Sequence, residues 1–166
     1  MHSSHIAELQ GQGYTKGMSE VLGAYLKTLR EGRSLKVNEV LRQLGERLRL
    51  GKPVDQTRLW RAENGKGWPE GEFLVALLDI LQGSLADVAW IQQHPDAQPA
   101  EGIERANSIL SEATRLQAKQ LAEQVAPHDM GIAAELTDEL LADPGKLARL
   151  RRLLLNGDLG ADAETR

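Results

Sequence analysis

The sequence predicts an all-α protein, and three observations carry the prediction. Only six of the 166 residues are aromatic (three Trp, two Tyr, one Phe), so Leu and Ala must build the core, which suits packed helices better than sheets. Apolar residues recur at spacings of three and four along most of the chain, the period of a helix with one buried face. Ser, Asp, Pro, Gly and Asn punctuate these runs where helices start and stop.

The first helix is expected from Ser19 to Arg30. Ser19 is its N-cap, Val21, Leu22, Tyr25, Leu26 and Leu29 form its inner face, and Gly32 stops it. The second begins near Lys36 and turns Val37, Val40, Leu41 and Leu44 inward; it stops at Gly45 or continues through residues 46–50 to Gly51. The third runs from Asp55, its N-cap, to Glu63, with Asn64–Gly65 as the stop. The fourth opens at Pro69, a good first-turn residue, and buries Phe73, Leu74, Leu77, Leu78 and Leu81. The fifth is capped by Ser84, with Asp87 placed for a capping box and Leu85, Val88, Trp90 and Ile91 for packing.

Residues 93–100 are polar, contain Pro95 and Pro99, and read as a linker. Residues 101–126 then form a long helix with a narrow stripe: Ile103, Ala106, Leu110, Ala113, Leu116, Leu121 and Val125. So narrow a stripe needs a partner within the chain or across a dimer. A helix over 131–142 follows, with Ile132, Leu136, Leu140 and Leu141. Another opens at Asp143-Pro144, carries Leu147, Leu150, Leu153 and Leu154, and closes at Asn156-Gly157. Residues 1–17 read as a polar arm and 158–166 as a frayed tail.

Several function classes fall away. The chain has no cysteine, which excludes disulfides, thiolate metal sites and cysteine nucleophiles and fits a reducing compartment. His2, His5, His94 and His128 are scattered without metal-site spacing, and neither a phosphate-binding glycine loop nor a nucleophile elbow is present. Asp138, Glu139 and Asp143 are acidic, but their ordinary role is a solvated helix surface. No catalytic residue, metal or cofactor is therefore expected. No apolar run has the length of a membrane span, and the N-terminus lacks a signal-peptide pattern, so a cytoplasmic location is expected and no membrane partner. The net charge of −4 hides an uneven distribution: residues 27–66 hold eleven Lys/Arg against five Asp/Glu. Such a basic stretch is a candidate footprint for a phosphate backbone, or simply a solvated basic surface.

The order of motifs narrows the class further. The stretch Asp55-Gln56-Thr57-Arg58-Leu59-Trp60-Arg61-Ala62-Glu63-Asn64-Gly65-Lys66-Gly67-Trp68-Pro69 resembles the recognition helix and following loop of the lambda-repressor-like, or Xre, family. Residues 22–35, beginning Leu22-Gly23-Ala24-Tyr25, are similar to the family's opening helix, and residues 38–45 to its second helix; the resemblance covers about 75 residues. It implies a five-helix helix-turn-helix domain over residues 18–92 that binds double-stranded DNA as a dimer. It also implies an ion pair between Arg30 and Glu63 that joins helix 1 to the end of helix 3.

The chemistry of the third helix agrees. With Leu59 and Ala62 turned inward, Gln56, Thr57, Arg58 and Arg61 are left for a groove; Gln pairs with adenine, Arg with guanine, and Thr reaches a phosphate or a thymine methyl. Lys66 and the amides around Asn64–Gly65 are placed for phosphate. The bland alternative is a solvated face. Trp60 and Trp68 are expected to pack or anchor the loop rather than stack on bases. One departure from the family is an insertion of about eight residues between helices 2 and 3, made basic by Arg47, Arg49 and Lys52. Either helix 2 lengthens by about one turn and brings these cations to the DNA backbone, or the insertion changes how helix 3 docks.

The expectation is thus an all-α protein, a five-helix lambda-repressor-like domain followed by a helical assembly region over residues 101–157. It would act as a sequence-specific transcriptional regulator, with repressor or activator left open by the sequence, and as a homodimer through 101–157. The DNA-binding residues would be Gln56, Thr57, Arg58, Arg61, Lys66, Arg47, Arg49 and Lys52. The sequence marks no effector pocket. The alternative is a protein-interaction module of antitoxin or anti-repressor type built on a helix-turn-helix-derived domain. The insertion and the negative total charge favour that alternative, and the basic stretch and polar third helix oppose it.

Overall fold

The computed structural model describes residues 15–156. Most of the expected N-terminal arm and the whole of the expected tail lie outside them. The described residues form α1 (Lys16–Gly32), α2 (Val37–Arg47), α3 (Gln56–Glu63), α4 (Gly71–Leu81), α5 (Leu85–Gln93), α6 (Pro99–Val125), α7 (Met130–Ala142) and α8 (Pro144–Asn156), with no strand among them. The protein is all-α, with an N-terminal helix-turn-helix domain and a helical C-terminal region. The chain divides into two compact units, one reaching Leu110 and the other beginning at Ser111.

In the first unit, α1 supplies more wholly buried side chains than any other helix. Val21, Leu22, Tyr25, Leu26 and Leu29 are wholly buried, together with Val40 and Leu44 of α2, Leu77 and Leu81 of α4 and Ile91 of α5. Each large side chain so buried stabilises the fold by about 1.5–3 kcal/mol relative to exposure. α1 starts a turn earlier than expected. The Thr15 hydroxyl accepts from the Met18 amide, and Ser19 is buried inside the helix rather than capping it. Met18 is itself in the core, so one more helical turn brings one more apolar side chain under cover.

α2 uses neither expected stop. It runs to Arg47, Arg49 turns into left-handed backbone (φ 55°), and the Leu50 amide returns to the Gly45 carbonyl at 2.9 Å. The inserted segment then folds back beneath the helix. Val54 is buried and donates its amide to the Leu41 carbonyl at 3.1 Å. A Cβ on Gly45 would stand 2.1 Å from the Lys52 carbonyl oxygen, so glycine is what lets the segment lie this close.

α3 begins where expected, the Asp55 carboxylate accepting from the Thr57 amide at 2.7 Å. Its C-terminal end meets α1 backbone to backbone: a Cβ on Gly23 would lie 2.7 Å from the Gly65 nitrogen, and one on Gly65 (φ 63°) 2.7 Å from the Glu20 Cα. α4 begins at Gly71, not at Pro69; its first turn closes with Leu74 N–H donating to the Glu70 carbonyl at 2.8 Å, which leaves Pro69 in the preceding loop. Ser84 caps α5 through the Ala86 amide at 3.1 Å.

Asp87 does not complete a capping box. The Ser84 amide donates instead to the Tyr25 hydroxyl oxygen at 2.8 Å, and Asp87 accepts from that hydroxyl at 3.2 Å and from Arg105 at 2.8 Å. Burial pushes the Tyr25 phenol well above its ordinary pKa. Arg105 also lies over the Trp90 ring at 3.6 Å, and Trp90 stacks on His94 at 4.1 Å between ring centroids. With Ala97 and Ala106 buried in the same core, residues 93–100 and the first turns of α6 belong to the first unit.

The second unit comprises residues 111–125 of α6 with α7 and α8. Its core is small: Ala118, Leu121, Ala122, Leu140 and Leu147, flanked by half-buried Leu136, Leu150 and Leu154. Asp129 caps α7, and Asp143 caps α8 ahead of the first-turn Pro144, accepting from the Gly145 and Lys146 amides at 2.9 and 3.2 Å. Not all of the expected apolar positions point inward. Ile103, Leu116 and Val125 of α6, Ile132 and Leu141 of α7 and Leu153 of α8 are exposed. In α6 the line buried in this unit runs through Ala118, Leu121 and Ala122, beside Leu116 and Val125 rather than through them.

Candidate nucleic-acid interface

α2 and α3 form the helix pair, and a buried ion pair locks α3 to α1. Arg30 grips Glu63 with two parallel hydrogen bonds, Nε to Oε1 at 2.6 Å and Nη2 to Oε2 at 2.9 Å, as the family resemblance implied. Nη1 of the same guanidinium donates to the Leu35 carbonyl at 3.3 Å, which ties the α1–α2 turn to the same anchor. The Glu63 carboxylate raises the Arg30 pKa further above its ordinary value. Leu59, Ala62 and Glu63 are the buried residues of α3, and they define its inner face.

A helix advances about 100° per residue, so with that face buried Thr57 and Arg61 lie farthest outward, Gln56 and Trp60 to one side and Arg58 to the other. All five are exposed. The eight expected contact residues separate into three groups. Thr57 and Arg61 share the outer arc of α3, Gln56 is exposed on its flank beside Trp60, and Lys66 follows in the exposed loop; Arg61 Nη2 donates to the Lys66 carbonyl at 3.4 Å, holding loop and helix end together. Arg58 leans the other way. It donates to Glu70 at 3.1 Å and its guanidinium lies 4.7 Å from the Phe73 ring centroid. Arg58, Arg61 and Lys66 line one cleft of about 220 Å³ in front of Trp68 and Phe73.

The insertion supplies the third group. Arg47 pairs with Asp79 of α4, while Arg49 and Lys52 are exposed and line a separate cleft with Arg42, Gly45 and Pro53. The insertion's cations therefore do not extend α2 as a straight rod.

Two expectations about α3 require correction. The amides of Asn64, Gly65 and Lys66 are not free for phosphate: they donate to the carbonyls of Trp60, Ala62 and Arg61 at 3.0, 3.5 and 2.9 Å. The last turn of any helix leaves carbonyls without partners, and here the following amides satisfy them. Trp60 does not pack either. It is 52% exposed, whereas Trp68 is half-buried against the core. Its position in the sequence carries the signal, because Trp60 falls four residues after Gln56 and one before Arg61, on the flank opposite Leu59 and Ala62.

The electrostatics are mixed. The Asp55 carboxylate sits at the α3 N-terminus, and the Thr57 amide holds its pKa below the usual range. Among the described residues no group of His, Asp or Glu is placed to hold a metal ion, and no helix is long and apolar enough to cross a membrane. Residues 21–91, from α1 through α5, match the family described as a helix-turn-helix domain. No curated protein and no solved structure matches the chain.

Proposed function

We propose that the protein is a transcriptional regulator of the lambda-repressor-like, or Xre, type that binds double-stranded DNA in a sequence-specific manner. The observation that carries this reading is the polar surface of α3, where Gln56, Thr57 and Arg61 stand exposed on a helix that Arg30–Glu63 and the Gly23/Gly65 crossing hold to the domain. In the major groove Gln56 reads adenine, Arg61 reads guanine and Thr57 meets a phosphate or a thymine methyl. Lys66, Arg49 and Lys52 contact phosphates. Arg58 and Arg47 exchange Glu70 and Asp79 for phosphate. Both pairs are exposed, and exposed pairs contribute only about 0–1 kcal/mol, so the exchange costs little.

The protein acts as a homodimer. The DNA-binding domain is residues 18–92, with residues 93–110 packed onto its core rather than forming a free linker, and the assembly region is the remainder of 101–157 beyond them. Leu116, Met130, Ile132 and Leu141 are exposed in a unit with a small core, and burying them across a two-fold axis would complete it. No catalytic activity is assigned.

The test is a fluorescence-anisotropy titration with duplex pools at two salt concentrations, comparing the intact protein with Gln56→Ala/Arg61→Ala. Salt-sensitive binding that loses its sequence preference in the double variant is expected. Salt-sensitive binding unchanged by the substitutions moves the reading surface away from α3. No binding at low salt overturns the reading and turns to the antitoxin-type module. Sedimentation of Leu116→Glu/Ile132→Glu, expected to be monomeric and to bind DNA more weakly, tests the dimer separately.

A further inference from the structure

We infer that Trp60 is a specificity-determining residue of the same interface, and that its indole reads the C5-methyl group of a pyrimidine in the major groove. The inference rests on the DNA-binding reading above and names what one further side chain of that surface recognises.

Trp60 is the largest exposed apolar side chain of α3 and stands 52% open to solvent. Leu59 and Ala62, its neighbours on the helix, are buried and already fill the inner face. Its backbone is well held: the Trp60 carbonyl accepts from the Asn64 amide at 3.0 Å and from the Asn64 side-chain nitrogen at 2.8 Å. The helix end that carries the indole is thus held in place, and about half of the side chain is open to solvent.

Its surroundings identify the partner. Gln56 is one turn before it and Arg61 is adjacent, both exposed, and no other large apolar side chain of α3 is exposed. A protein-binding hot spot is normally set among other apolar residues that exclude water around it. A single apolar plate among hydrogen-bonding side chains instead matches the major groove. There the methyl of thymine is an isolated apolar point between donors and acceptors, and apolar side chains discriminate bases by covering it. The same methyl occurs on 5-methylcytosine, so the shared chemistry is a 5-methylpyrimidine.

The experiment begins with the preferred duplex, selected from a randomised pool by the intact protein. Each thymine in it is replaced in turn by uracil, which deletes only the methyl, and each cytosine by 5-methylcytosine, which adds one. Binding is measured for the intact protein, Trp60→Phe and Trp60→Ala, with circular dichroism confirming the fold of each. At one position the intact protein should lose about fivefold or more in affinity on T-to-U replacement, or gain it on methylation of cytosine. Sensitivity to uracil assigns thymine as the natural target, and sensitivity to added methyl alone assigns 5-methylcytosine. Trp60→Ala should bind the duplex more weakly and respond to neither replacement, with Trp60→Phe in between. An intact protein indifferent to every replacement, or a Trp60→Ala protein with undiminished methyl sensitivity, overturns the inference while leaving DNA binding in place. Failure to select any duplex, with no binding at low salt, overturns both readings.

Discussion

Replacing Glu63 by Gln should remove much of the stability of the helix-turn-helix unit. The Glu63 side chain is 7% exposed and that of Arg30 12%, so neither charge is solvated, and each satisfies the other through two short hydrogen bonds. Glutamine keeps the shape and one acceptor but leaves the guanidinium with only the exposed Glu31 carboxylate, 3.6 Å away, as counter-charge. Breaking a buried pair from one side costs about 3–5 kcal/mol. Against a total stability of about 5–15 kcal/mol, that is about a fifth or more. The same substitution loosens the joint between α1, the α1–α2 turn and the end of α3. Urea unfolding monitored by far-ultraviolet circular dichroism measures the loss. With a slope of about 2 kcal/mol per molar urea, the midpoint should fall by about 1.5–2.5 M. The control is Arg30→Met/Glu63→Leu, which removes both charges and should recover most of the loss, since well-packed apolar replacements of buried pairs are often neutral. A Glu63→Gln midpoint within about 0.5 M of the parent, roughly 1 kcal/mol, would refute the claim that this pair is buried and mutually dependent.

Gly45→Ala should lower stability by about 1–3 kcal/mol, because its methyl meets the Lys52 backbone carbonyl and the folded-back segment must move; an unchanged thermal midpoint would mean that the segment does not lie against α2. Tyr25 ties alkaline stability to burial. Its pKa is raised on folding, so its contribution is complete below about pH 10 and declines as pH rises above that value. In a Tyr14→Phe background, absorbance at 295 nm should show no phenolate until the circular dichroism signal is also lost, and a phenolate appearing near pH 10 in folded protein would contradict this. Arg105→Ala removes the bond to Asp87 and the cation over Trp90, and should cost about 1–2 kcal/mol while shifting Trp emission. Emission unchanged from the parent would show that Arg105 does not rest on the indole.

Much of the fold was legible in the chain because local rules govern it. Asp55, Ser84 and Asp143 cap helices where their residue type and position require. The apolar periodicity of residues 21–29 and 73–81 translated directly into buried side chains, since both helices lie at the centre of the first unit's core. The misses share a cause. Ser19 is as good a cap as Thr15 by residue type, and only the burial of Met18 selects between them. Asp87 has capping-box spacing, yet Tyr25, sixty-two residues away in sequence, takes its hydrogen bond.

For the candidate interface, the polar character of α3 was readable but the disposition of its side chains was not. Arg58 and Arg61 are equally basic in the sequence. In the fold one donates to Glu70 and lies over Phe73, while the other donates to the Lys66 carbonyl and stays on the outer arc. Trp60 reads as core from its composition, but the inner face of α3 is already filled by Leu59 and Ala62.

The sequence by itself determined that the protein is all-α, where most of its helices lie, and that a polar helix follows a second helix at an unusual distance. These follow from periodicity and capping, which act over a few residues. Only the tertiary structure decided which charges are consumed in ion pairs, where the insertion goes, how far α6 belongs to the first unit, and which apolar side chains stay bare. Those outcomes depend on pairs of surfaces that meet across tens of residues. A residue's type limits what it can do there, and its neighbours in space decide what it does.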